Sequence, residues 1–325
     1  MHTTQLAGLL LIAGLLCACS ADKPGAATAG SDNRAAATAA TPSGDASAED
    51  VAAAARGDVD CPADAAPNAA RTPVDDIVGV RPGMSYEQAA NAVMCSGPLL
   101  VIKPENSRGF EISTFGQTVR QGFSARFAEP RVHKSGRQIM QEMQRDAMAR
   151  GMNARRQDMQ PGQSKWFVAT MGMPGHEKAI SVAREQWFEQ DRNPTVDSVE
   201  QALLAKYGAS TERSDQGDTH QLRWAYDPRG RLITETSPLF NRCHGAADPD
   251  SGVSLSADCG VVVAANVIPL RSNPALAQYL QVGVVDQAGG YQALTDTQQG
   301  LRAMDAERRA QQVRDAGKNA QAPEL

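Results

Sequence analysis

The 325-residue chain is poor in aromatic side chains, at 5%, so a core has to rest on Val, Leu, Ile, Met and Ala. It has no strongly basic stretch, and its net charge of −5 argues against nucleic acid as a partner. It also lacks a GxSxG elbow, an HExxH helix, a CxxC pair and a glycine loop able to cradle phosphate. The chemistries that depend on those motifs have nothing to stand on. Two stretches only imitate hydrolase motifs. Ser20 to Lys23 and Ser31 to Asn33 echo penicillin-recognising patterns, but no Lys-Thr-Gly follows. His176-Glu177 opens a zinc-protease pattern, but Ile180 stands where the second histidine must be. The sequence therefore predicts a protein that is not an enzyme, with no catalytic residue, no metal and no cofactor.

Long hydrophobic runs are missing as well. The run from Leu6 to Leu16 is eleven residues, against about 20 for a spanning helix. With the small residues and cysteines that follow, residues 1–18 read as a signal peptide. Leu16-Cys17-Ala18-Cys19 resembles the lipobox of bacterial lipoproteins, which implies acylation of Cys19. Cys17 follows Leu16, where that pattern takes a small residue. The alternative is an ordinary secretory signal cleaved elsewhere. The lipoprotein resemblance implies two or three acyl chains, with membrane lipid as a partner through Cys19. Because Ser20, not Asp, follows the anchor, it also implies the periplasmic face of the outer membrane. Residues 19–58 are rich in Ala, Ser, Thr, Asp and Gly and contain no aromatic residue. Such a segment buries too little apolar surface to offset ordering entropy, so it reads as a disordered tether. Its reach as a coil is roughly 35 Å.

With Cys17 and Cys19 set aside, Cys61, Cys95, Cys243 and Cys259 remain. In an oxidising periplasm an even set reads as disulfides, and four cysteines allow three pairings. Proximity favours Cys61 with Cys95 and Cys243 with Cys259. A zinc site at Cys243-His244 and Cys259 is the competing reading, and it lacks a CxxC pair.

The first folded unit is expected over residues 59–134. Arg81-Pro82-Gly83 breaks the chain, and Ser85 with Gln88 then forms a capping box for a helix with Ala89, Ala92 and Val93 on its apolar face. Gly83 permits the turn, Met84 fills the core and Ser85 caps the helix, so these three form a scaffold motif. Ser85 to Val93 aligns without gaps on Ser198 to Lys206, agreeing at Ser, Glu, Gln and two Ala positions. That self-similarity suggests a duplicated helix-plus-strands unit, the second over residues 135–290. The later helix begins near Asn193 to Thr195.

Strands are expected at Leu99 to Ile102, Phe110 to Ile112, Thr118 to Phe127, Trp166 to Met171, Ala179 to Phe188 and Cys259 to Ile268. His220, Leu222, Trp224 and Tyr226 alternate with Gln221, Arg223, Ala225 and Asp227, which marks a half-buried strand. A turn at Asp227 to Gly230 then leads into Leu232-Ile233 as a hairpin. Ser135 to Gly151 reads as an amphipathic helix with Ile139, Met140, Met143 and Ala147 on one face. Residues 291–325 form a helical tail with few apolar points, a solvated or partner-seeking helix.

The stretch Asp76 to Ala89, with Gly83-Met84-Ser85 at its centre, resembles the entry motif of the SmpA/OmlA lipoproteins, the BamE-like family, and of the beta-lactamase-inhibitor-like fold. Ala202 to Gly208 followed by Trp224-Ala-Tyr226 resembles the same family's helix and W-x-Y strand, with Ala209 and Ser210 where a proline region is usual. The resemblance implies an α+β fold with helices packed on one face of an antiparallel sheet. It also implies a non-catalytic role, either envelope assembly through an envelope protein partner or inhibition of a hydrolase or toxin. Glu185, Glu189 and Asp191 would then offer an acidic surface to a basic target.

Two further groups carry alternatives. Seven of the eleven methionines fall between Met140 and Met173, with His133 and His176 at the margins. Thioethers suit Cu(I), so a methionine-based copper binder is the lower alternative, and packing of the helix stripe is the plainer reading. Asp248 to Gly252 looks like part of a calcium loop but lacks its later acidic ligands, so a turn is expected there.

Overall fold

The computed structural model describes residues 44–57, 59, 61, 73–106, 108–152, 159–319 and 321, with no side chains described for 146–152 and 319. Cys19, the signal peptide and the tether as far as residue 43 lie outside these. Where the tether was expected to continue there is instead a helix, α1 (Ala48–Arg56). Ser47 and Asp50 cap it reciprocally, at 3.1 and 3.2 Å. A nine-residue helix is marginal on its own, and this one is docked. Ala52 is buried, and Arg56 donates to the carbonyls of Gly97 and Leu100 at 2.7 and 3.1 Å. Residues 44–57 thus belong with the folded unit, ahead of the expected boundary at residue 59.

The next helix, α2 (Tyr86–Cys95), begins where the capping box placed it. Ser85 Oγ accepts from Gln88 N–H at 3.2 Å, and Gln88 Oε1 accepts from Ser85 N–H at 3.0 Å. Gly83 has φ 89°, a left-handed conformation that glycine takes without strain. Cys95 at the helix end is bonded to Cys61. The chain continues through β1 (Leu100–Pro104), β2 (Gly122–Phe127), α3 (Gly136–Met152), β3 (Ser164–Met171) and β4 (Lys178–Trp187). It then runs through one more helix and four strands, without the interruption that α3 makes between β2 and β3. These are α4 (Val196–Tyr207), β5 (Glu212–Gln216), β6 (Thr219–Ala225), β7 (Val261–Leu270) and β8 (Asn273–Asp286), before the 33-residue α5 (Gln287–Asn319).

All eight strands form one antiparallel sheet in the order β1-β2-β3-β4-β8-β7-β6-β5. Each run of four strands is a meander, and the two meet through β4 and β8. Both helix caps make the same kind of contact with the sheet. Ser85 bridges Lys178 at the start of β4, and Thr195, the N-cap of α4, bridges Leu276 in β8.

The α+β class is as expected, with helices packed against an antiparallel sheet. Their distribution is wider than one face. On β3, Trp166 and Val168 point into a core closed by α2 and α4, which supply Ala89, Val93, Val199 and Leu203. Phe167, Ala169 and Met171 alternate to the other face, where Ala293 and Leu294 of α5 cover them. Leu301 of α5 is fully buried, with Thr297 and Asp305 buried beside it, so one side of the first half of the expected solvated tail packs against the fold.

Other differences have local causes. Phe110 to Ile112 is loop, although Phe110 and Ile112 still pack under α5. Leu232 contributes a single bridge to Tyr226, because the Asp227 carboxylate holds the turn tightly through the N–H groups of Arg229 and Arg231. The strands β5 and β8 had no sequence expectation at all. On α3, Ile139, Met140 and Met143 are 47, 58 and 61% exposed, so the stripe expected to pack inward faces solvent.

Candidate functional site

The scaffold motif is built into the fold edge. Gly83 N–H donates to the Ala179 carbonyl and Ala179 N–H to that of Met84, both at 2.8 Å, so the motif adds a rung to the start of β4. Met84 packs partly against the core, and its sulfur accepts from Arg81 N–H at 3.4 Å. Arg120 completes the junction. Its guanidinium lies 4.4 Å from the centre of the Tyr86 ring, bonds Glu177 at 2.9 Å and also bonds Glu87. Burial pushes the Glu177 carboxyl up, but the N–H and guanidinium of Arg120 outweigh it and hold Glu177 below the ordinary carboxylate range.

The open surface lies elsewhere, on the sheet face opposite α2 and α4. A loop from Cys243 to Cys259, closed by the disulfide between them, crosses this face. It passes so close to Gly283 that a Cβ there would sit 1.9 Å from the Ala246 oxygen. Arg223 ties the loop down from β6, donating to the carbonyls of Phe240 and Cys243 at 2.8 and 2.6 Å and pairing with Glu212. Asp250 holds the far side through Lys165 at 2.5 Å, with Arg126 at 3.5 Å and Arg108 at 3.6 Å. The expected turn at Asp248 to Gly252 is therefore a wall fastened by cations. The Asp250 N–H also closes onto the Asp248 side chain at 2.9 Å.

Beyond this wall β5 to β8 floor a cleft of about 430 Å³. One row of the floor runs in register through Gln281, Asn266, Gln221 and Ser214, and Glu185 of β4 continues it beyond the cleft. Asn266 donates to Gln281 at 3.0 Å, and Gln281 donates to Glu185 at 2.7 Å. Trp187 Nε1 donates to the other Glu185 oxygen at 2.7 Å. The next row carries Trp187 and Tyr279, stacked with ring centres 4.8 Å apart, followed by Ile268 and Thr219. Neighbouring amides hold one another's orientation, which leaves a fixed set of donors and acceptors beside a rigid aromatic pair. His244 at the rim is exposed.

The sequence-selected residues scatter around this cleft. Cys243 and Cys259 anchor its wall, while Cys61, Cys95, Gly83, Met84 and Ser85 brace α2 instead. Glu185 is 6% exposed and committed to Trp187 and Gln281, so the expected acidic surface keeps only Glu189 and Asp191. His220 lies on β6 near its turn from β5, with Nδ1 2.9 Å from Asp215 and 3.5 Å from Glu200 of α4, which also pairs with Arg213 at 2.7 Å. Met159 and Met171 are buried whereas Met140 and Met143 are exposed, so these four do not share one environment. Among the described residues no group of three or more His, Cys, Asp or Glu is arranged to hold a metal ion.

Sequence reasoning missed Gln281, Asn266, Tyr279 and Trp187. The alternation in β6 did carry a signal: with Leu222 and Trp224 facing inward, Gln221 and Arg223 had to face this surface. No protein-family model, curated protein or solved structure matches the chain.

Proposed function

We propose that the protein is a lipoprotein anchored through acylated Cys19, and that its folded part is a non-catalytic module binding another envelope protein through the β5–β8 cleft. The observation that carries this reading is the floor of the cleft, an in-register row of amide and hydroxyl side chains next to the Trp187–Tyr279 stack. Such a surface recognises by hydrogen-bond pattern and flat aromatic contact. Wall and floor are cross-tied by Arg223 and a disulfide, so little ordering is left to oppose binding.

A second reading, an inhibitor or immunity module, draws on the recurrence of the four-stranded meander and on the matching contacts of Ser85 and Thr195. We read that repetition as a duplication, in keeping with the resemblance of the Gly83 motif to beta-lactamase-inhibitor-like folds. The two readings share the cleft and differ in the partner.

A photo-crosslinking residue at Gln221, in acylated protein within intact envelopes, tests both. The expected result is one crosslinked envelope protein, lost in Tyr279→Ala and absent when the crosslinker sits at exposed Arg192. If the captured protein is a hydrolase or toxin whose activity falls on binding, the second reading holds. Crosslinks no different from the Arg192 control overturn both. Mass spectrometry of the mature N-terminal peptide tests acylation of Cys19 separately.

A further inference from the structure

The α3 helix is an unusual element for an acidic protein. Every described side chain from Arg131 to Arg145 is exposed except the half-buried Glu142. Over that span Arg131, Lys134, Arg137 and Arg145 face a single carboxylate, Glu142, while the whole chain is −5. Lys134 pairs with Glu142 at 2.8 Å. Ile139, Met140 and Met143 form an apolar patch one turn long, and Val132 beside the helix is 54% exposed. Basic residues next to exposed apolar ones on a helix suit the plane of a bilayer interface.

A second observation fixes the position of this surface relative to the N-terminal chain. Residues 44–46 are strapped to the start of the α3 segment: Ala46 and Arg131 exchange two backbone hydrogen bonds at 2.8 and 2.9 Å, and His133 N–H donates to Asp45 at 2.6 Å. The chain leading back to Cys19 therefore leaves the folded part beside α3. Only 24 residues lie between Cys19 and Gly44, and a coil of that length averages about 27 Å end to end. An anchor at Cys19 therefore joins the folded part next to the start of the α3 segment.

We propose that α3 is a second membrane contact, lying on a bilayer that carries anionic phosphate headgroups, with Ile139, Met140 and Met143 entering the interface and Arg137 and Arg145 over the phosphates. The inference rests on the lipoprotein reading for its geometry, and it adds an orientation that acyl chains on a coil cannot supply. Acyl chains hold the protein to the membrane, whereas α3 fixes which side of the folded part faces it.

The test uses the chain from Ser20 onward, unacylated and containing every described residue, floated with vesicles of phosphatidylcholine alone or with about one-third phosphatidylglycerol. The expected result is partition into the anionic vesicles only, weakened by added salt. It should fall about tenfold in Ile139→Ser/Met140→Ser/Met143→Ser, and also in Arg137→Glu/Arg145→Glu. These side chains are exposed, so melting temperatures should be unchanged, and the charge variant gives a readout that does not depend on the apolar one. Failure to bind anionic vesicles, equal binding to neutral ones, or binding indifferent to both variants overturns the proposal. A patch that serves a protein partner instead gives the first of these outcomes. Because the test protein carries no acyl chain, its failure leaves the Cys19 assignment standing, and failure of acylation leaves this result standing.

Discussion

Glu177 is 2% exposed, yet it stays ionised because Arg120 surrounds it with a backbone N–H at 3.1 Å and a guanidinium at 2.9 Å. Its pKa is held below the usual 4.5, so the charged form stabilises the fold. That contribution is complete above the unfolded value and is lost as pH falls through the lower folded one. Glu177→Gln should cost about 1–3 kcal/mol at pH 7 by urea unfolding. The gap between wild type and variant should close as pH drops below about 4.5. A gap that stays constant down to pH 3 would mean that packing, not charge, is what Glu177 supplies. Arg184 shows the opposite case. It is partly buried over the Trp166 ring, and burial pulls its pKa down to about 10. The Glu185 beside it in sequence was legible as a carboxylate but not as a buried acceptor for Trp187 and Gln281, because neighbours on a strand point to opposite faces.

Among the elements, the wall loop depends most on covalent support. Cys243 and Cys259 are 16 residues apart, and a closed loop of that length limits the unfolded chain by about 3 kcal/mol. Within the folded state the loop has few strand hydrogen bonds of its own and relies on Arg223 and Asp250. Cys243→Ala/Cys259→Ala should therefore lower stability by about 2–4 kcal/mol. It should also raise amide exchange in 244–252 well before exchange in β6 or β7 rises. Uniform loss of protection across the sheet would show that the disulfide supports the core rather than the wall. Capping boxes and turns were readable from local sequence because their partners lie within four residues. The exposed stripe of α3 was misread as packed, since the 3.6-residue period reports that a helix has an apolar side and not what lies against it.

At the scale of the molecule, the seam between β4 and β8 decides the architecture. Seven register pairs join them, from Ser181–Val285 to Trp187–Tyr279. Dividing the chain there would leave two unpaired, largely apolar strand edges. The two meanders should therefore unfold as one. Urea midpoints read from a variant keeping only Trp224 should coincide with those from a variant keeping only Trp166, each with the other tryptophans replaced by Phe and compared with circular dichroism of the same variant. Residues 44–192 expressed alone should aggregate. Separate midpoints, or a soluble folded half, would overturn this account. The expected units over 59–134 and 135–290 lie within this one sheet, with β2 from the first range pairing onto β3 from the second.

By itself the sequence determined the cap of α2, the start of α4, most of the strands and the favoured cysteine pairs. Each of these depends on residues close together in the chain or on one regular period. The placement of β8 at the sheet centre, the burial of Leu301, the docking of α1 and the polar row from Glu185 to Ser214 were decided only by tertiary structure. That row joins side chains up to 96 residues apart. No local pattern encodes which strands lie side by side, and that adjacency is what turns scattered amides into a single surface.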